Sequence, residues 1–368
     1  MKGAPLLSVV LSLMLVVLVG WLMSIGKSIL LPITIALIAV YVSGAVTVNL
    51  ARLPGLRLLP KPILRIGIMS GFVGLLFAAA TVIAATVQQI ISVAPGYESN
   101  LLGMLDRLSE RLGRESDDVW QQVEAVTIDK IDLDGLLFAL LGGFTSFGGV
   151  IFLVVLYAIF LMGERGVFER KVRAAFPNRD RSDAVLGLMR KINGNIGRYL
   201  AVKTLINVIL GIISFLIMTV LGVDFALFWA IVIGLLNYIP YIGSYLGVAF
   251  PAVLSLGQFG DLPYSILILA SLTAAQVFVG NILEPKLIGR QMNLSPFVVL
   301  VALAVWGSLW GVPGAILAVP MTSILAIILS EFDATRPIVV LMAERVDKEP
   351  DPEQQEEDAD ATGRDGQV

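Results

Sequence analysis

Few side chains in this sequence could do chemistry within the apolar runs that make up most of it. Asn207, Asn237, Gln276 and Asn281 are neutral donors and acceptors set among Leu, Ile, Val and Phe, and Lys203 and Glu284 are ionisable groups close to the ends of such runs. Polar groups are expensive inside a bilayer, so these six are functional candidates, the four amides and Glu284 for a solute path and Lys203 and Glu284 for ion coupling. Each has a structural alternative. Asn207 and Gln276 could bond helix to helix, and Lys203 could extend its ammonium to the interface. Glu284, followed by Pro285, could pair with Lys286 or Arg290, or cap a helix. The sequence has no histidine and no cysteine. That removes Ser/His and Cys/His catalysis, the usual zinc sites, iron–sulfur clusters and disulfides, and no cofactor or metal is implied.

The elements that must position these groups are membrane spans. Of 368 residues 57% are hydrophobic and 15% charged, a composition that a soluble domain could not bury. Leu6 to Ile25, Ile29 to Leu50, Ile66 to Val87, Leu136 to Met162, Tyr199 to Leu221 and Leu262 to Ile282 read as six full spans. The second begins near Pro32, which a first helical turn tolerates. Arg52, Arg57, Lys61 and Arg65 lie between the second and third spans without an acid, which places that loop and both termini in the cytoplasm. Residues 89–135 carry ten acids and four bases and fall on the opposite side. Within them Leu101, Leu105, Leu108 and Leu112 alternate with Arg107, Glu110, Arg111 and Arg114. This is the pattern of an amphipathic helix, lying on the membrane or on its own protein, or making a subunit contact. From Gly163 to Lys203 there are ten bases and four acids, again cytoplasmic. The basic stretch is explained by topology, so nucleic acid is not an expected partner.

Two further apolar segments are broken at their middles. Phe225 to Tyr238 and Tyr245 to Leu256 flank a break holding Pro240, Gly243 and Ser244; Leu294 to Ser308 and Ala315 to Ser330 flank one holding Gly311, Pro313 and Gly314. The arms of the first reach roughly 21 Å and 18 Å at 1.5 Å per residue, short of the hydrocarbon core of about 30 Å. Each segment is a kinked span or a hairpin that enters and leaves on one side. The hairpin reading places the bases around Glu284 in the cytoplasm and is favoured on that ground. It also gives two units of opposite orientation, an inverted repeat. Irregular backbone at membrane depth must be buried in protein or line a wet cavity, and paired breaks of this kind mark transporter binding sites. The expected fold class is therefore all-α and polytopic, with about six spans plus two broken segments.

The strings GLLNYIPYIGSYLG (Gly234 to Gly247), NILEPKLIGRQMNLSP (Asn281 to Pro296) and WGSLWGVPGAILAVP (Trp306 to Pro320) resemble the signature regions of the autoinducer-2 exporter family of bacterial inner-membrane proteins. The hydropathy layout is similar over residues 1–345. The resemblance implies a secondary exporter of a small polar signal such as autoinducer-2. It also implies an alternative, exchange of sodium or lithium for protons, and a homo-oligomer, pentamers being among the assemblies of that family. For a hydroxyl-rich solute, the amides and the freed backbone groups at the breaks would supply donors and acceptors. No G-x-x-x-x-G-K-[ST] motif occurs, so an ion or solute gradient would supply the energy. An antiporter needs a titrating carboxylate, and the spans offer only acids at their edges, such as Asp224, Glu284 and Glu331.

The expected organisation is 1–88 as spans one to three, 89–135 as an extracytoplasmic segment, 136–198 as the fourth span with its basic loop, and 199–345 as the transport unit. The broken segments fall at 225–256 and 294–330. Residues 346–368 form an acidic tail that cannot fold alone; from 347 onward it carries nine acids and two bases.

Overall fold

Helices α1 (Ala4–Ile25) and α2 (Lys27–Leu50) open the chain, followed by α3 (Lys61–Leu112), α4 (Leu133–Ala175) and α5 (Arg179–Val220). Then come α6 (Ala226–Leu236), α7 (Ile242–Phe259) and α8 (Leu262–Phe278), a π-helical turn Val279–Leu283, α9 (Glu284–Ile288), α10 (Pro296–Trp310), α11 (Val312–Leu329) and α12 (Arg336–Met342). This computed structural model describes residues 4–51, 60–112, 133–288 and 293–345. The acidic tail, residues 113–132 with Arg114, and Arg290 lie outside the described residues. Among the described residues six helices are long and apolar enough to cross a bilayer, and a seventh follows if the pair Gly149–Glu164 and Gly166–Ala175, bent by 65°, is one span. The protein is an all-α, multi-pass membrane protein.

Several elements depart from the lengths that hydropathy suggests. α2 begins at Lys27, so Pro32 lies beyond its first turn, inside the helix. α1 and α2 meet at Gly26 alone, whose N–H donates to the Leu22 carbonyl at 2.8 Å while its own carbonyl accepts from Leu30 N–H at 2.8 Å. One helically bonded residue does not reverse a chain, and the two apolar helices do not pack as an antiparallel pair.

α3 continues without a break for 52 residues, far past the expected span end at Val87. Its extension docks on the protein itself. The Tyr97 hydroxyl donates to Asp224 Oδ2 at 2.6 Å, and Asn100 Nδ2 donates to the Gly257 and Gln258 carbonyls at 3.0 and 2.9 Å. Burial, and then the Asp224 carboxylate, push the Tyr97 phenol above its ordinary range.

The basic stretch after the fourth span is largely helical as well. Asn178 caps α5 by accepting from the Asp180 and Arg181 N–H groups. Arg173 spans the connection, donating to Glu169 at 3.2 Å and Asp183 at 3.0 Å.

Two apolar cores organise the body. Ala36, Ala39, Val40, Met69, Val154 and Ala158 join α2, α3 and α4. Ile206, Leu210, Met218, Ile233, Val248, Ile268 and Leu272 join α5 to α8. Small residues let backbones approach within the second core, and Gly234 lies against the Asn207 carbonyl.

In each broken segment the arms lie side by side. Gly247 of α7 packs on Ile233 of α6, and Trp306 of α10 donates its indole N–H to Thr322 Oγ1 of α11 at 3.0 Å. α12 returns to the start of α10, where Ser295 N–H donates to the Met342 carbonyl at 2.9 Å.

Candidate functional site

The first break is built by backbone geometry that few sequences adopt. α6 ends at Leu236, and Asn237, Tyr238 and Ile239 donate back to Ile233, Leu235 and Leu236 in a tightening last turn. Pro240 has no N–H to extend it. Tyr241 then takes φ 61° and ψ −66°, closing a three-residue turn in which Ile242 N–H donates to the Pro240 carbonyl at 2.7 Å. A tyrosine at positive φ is strained and persists only where its surroundings fix it. At Gly243 a Cβ would collide with the Leu236 carbonyl oxygen, so only glycine allows the chain to turn this closely. The turn sets Asn237 and Ser244 next to each other between α5 and α8.

Four of the candidate side chains meet there. Asn237 Nδ2 donates to Asn207 Oδ1 at 2.8 Å. Gln276 Nε2 donates to both Asn237 Oδ1 and Ser244 Oγ at 2.8 Å, and Ser244 Oγ lies 3.5 Å from Asn237 Oδ1. Asn207 and Asn237 are each only 4% exposed. Asn207 Nδ2 lies towards the Tyr238 phenol without a well-formed hydrogen bond, which leaves one buried donor over. The cluster carries no charge, and its members join three separate elements at the first break.

One turn along α5, Lys203 is 5% exposed and donates to Glu284 Oε1 at 2.6 Å. Lys203 therefore does not reach for the interface, and Glu284 pairs with Lys203, not with Lys286. Isolating either charge here would be costly, whereas the pair satisfies both.

Other candidates lie elsewhere. Asn281 is exposed within the π turn and takes no part in the network. Pro240 is half-buried at the first tip.

Gly311, Pro313 and Gly314 form the second tip, which meets the joint between α1 and α2. Trp310 Nε1 donates to the Met23 carbonyl at 3.1 Å, and a Cβ on Gly311 would stand 3.8 Å from Lys27 Nζ. The two tips do not converge. Ile239 at the first packs on Ala302, Leu303 and Ala318, about two helical turns from the second.

Sequence reasoning missed Thr204 and Tyr238, whose hydroxyls sit 2.7 Å apart beside the cluster. The signal lay in spacing: Thr204 is one turn from Asn207, and Tyr238 is in the break itself.

The family model described as AI-2E family transporter matches residues 9–333. The chain belongs to the AI-2E transporter family. Relatives in this family include the AI-2 transport protein TqsA of Escherichia coli K12, 28% identical over 340 residues that cover 91% of this chain and 95% of TqsA. YhhT of the same organism is 32% identical over 249 residues, 68% of this chain and 70% of YhhT. A candidate transport protein of Borreliella burgdorferi is 37% identical over 215 residues. That match covers 56% of this chain and 58% of the Borreliella protein. As a member of the AI-2E family the chain is a transporter and not an enzyme.

Proposed function

We propose that the chain exports a small, uncharged, polar solute of the autoinducer-2 type across the bacterial inner membrane by alternating access. Residues 199–345 are the moving unit, and the helices before them are the scaffold. The observation that carries this reading is the neutral polar cluster at the broken tip between α5 and α8, with Asn207 and Asn237 buried and Ser244 and Gln276 half-buried. Its groups can exchange partners with hydroxyls and carbonyls without trapping the solute through charge. In this reading the two broken segments are re-entrant hairpins of opposite orientation. The basic stretches 52–65 and 163–203 and the C-terminus then face the cytoplasm. The molecule works as a homo-oligomer, an expectation that rests on family resemblance.

A second reading, exchange of sodium or lithium for protons, is favoured by one observation, the pairing of the buried Lys203 with the half-buried Glu284. Proteoliposome flux separates the two. Export predicts protein-dependent autoinducer-2 flux that falls about tenfold or more in Asn237→Ala or Gln276→Ala, a loss of roughly 1.4 kcal/mol or more in the limiting step. Exchange predicts sodium-driven proton movement that Glu284→Gln abolishes. Flux indifferent to the amide substitutions would remove the cluster from the path.

A further inference from the structure

The helix formed by α8, the π turn and α9 carries a group from each of the two polar clusters, with the π turn between them. Gln276 belongs to the amide cluster, where it donates to Asn237, which in turn bonds Asn207, and Glu284 belongs to the ion pair with Lys203; Asn207 and Lys203 stand four residues apart on one face of α5. In an uninterrupted α-helix, residues eight apart are turned about 80° from one another round the axis, whereas residues seven apart differ by only about 20°. Gln276 and Glu284 are eight apart, yet Glu284 meets Lys203 of α5 and Gln276 meets Asn237 where Asn237 bonds Asn207 of the same helix. The π turn accounts for this. Glu284 N–H donates to the Val279 carbonyl, five residues back, so one residue is absorbed and the eight-residue interval behaves as seven. Space exists for the turn to change. Gly280 has no atom within 4 Å of where a Cβ would stand, Asn281 is exposed, and neither is anchored by its side chain. Single π turns in α-helices occur frequently at functional sites.

We infer that the π turn Val279–Leu283 is a register switch that positions Glu284 on Lys203. When the turn relaxes to α-helical bonding, the helix beyond it rotates by about 100° and Glu284 leaves Lys203, while Gln276 keeps its place on the amide cluster. This rests on residues 199–345 being the moving unit, and it adds the element that links its two halves.

Deleting Gly280 tests it, because deletion removes the absorbed residue and leaves Gln276 and Glu284 seven apart on one face of a plain α-helix. The pair stays in place but loses its alternative register. The cysteine-free chain also allows spin labels at Arg198→Cys on α5 and Lys286→Cys beyond the turn. Expected are two inter-label distances in the full chain, one in the Gly280 deletion, and flux about tenfold or more lower in the deletion with solute binding retained. A single narrow distance in the full chain overturns the switch, even if the deletion variant fails to insert. So does a deletion variant that transports at the parental rate. Failure of the transport reading is visible separately. If Asn237→Ala and Glu284→Gln leave all flux unchanged, that reading falls whatever the label distances show.

Discussion

Lys203 and Glu284 illustrate how a buried pair differs from the sum of its parts. Replacing Lys203 with Met leaves the half-buried Glu284 carboxylate without its cation, and the cost should be about 1–3 kcal/mol, below that of a fully buried pair. The double change to Met at both positions should recover most of it, because two apolar side chains of similar volume need no solvation. Unfolding of detergent-solubilised single and double variants measures the difference. The amides of the cluster were legible in the sequence because Asn and Gln stand out in a run of aliphatic residues. Their partners were not. Thr204 also bonds the Leu200 carbonyl within its own helix, as threonines in apolar helices commonly do. Tyr238 is one of 8 tyrosines, and nothing marks it apart from its place in the break. The Lys203–Glu284 pairing joins positions 81 residues apart and has no local sequence signal.

At the scale of elements, the breaks were readable from Gly and Pro in the middle of apolar runs, since both residues interrupt helix for known backbone reasons. Gly243→Ala should displace the first tip, because a methyl has no room beside the Leu236 carbonyl. The expected result is loss of flux to a level similar to Asn237→Ala, with the rest of the helices retained by circular dichroism. Helix lengths were less readable. α3 and α5 both run beyond their hydropathic ends, because charged and polar residues continue a helix once caps, ion pairs and docking contacts support it, and hydropathy is blind to those. The Tyr97–Asp224 contact is one of them. A phenol raised above its ordinary value of about 10 stays protonated in the fold, so its contribution is complete below that value and is lost only as pH rises through the raised one. The Tm difference between the parent chain and Tyr97→Phe, worth about 1 kcal/mol for a partly solvated contact, should be constant from neutrality to about pH 10 and shrink above it.

For the whole molecule, the first and last thirds of the chain meet where Trp310 donates to the Met23 carbonyl beside Gly26. No pattern in either segment alone announces that contact. The charge balance of the proposed moving unit has a consequence of another kind. The amide cluster is neutral, and Lys203 and Glu284 cancel within 2.6 Å of each other, so movement of these two clusters carries no net charge through the electric field of the membrane. Flux of an uncharged solute should therefore be the same at zero and at −100 mV, set with potassium and valinomycin. Glu284→Gln leaves the Lys203 ammonium uncompensated, and a unit charge crossing the full field is worth about 2.3 kcal/mol per 100 mV. Voltage sensitivity is expected in that variant and not in the parent, making the ion pair the device that insulates transport from the cell's electrical state.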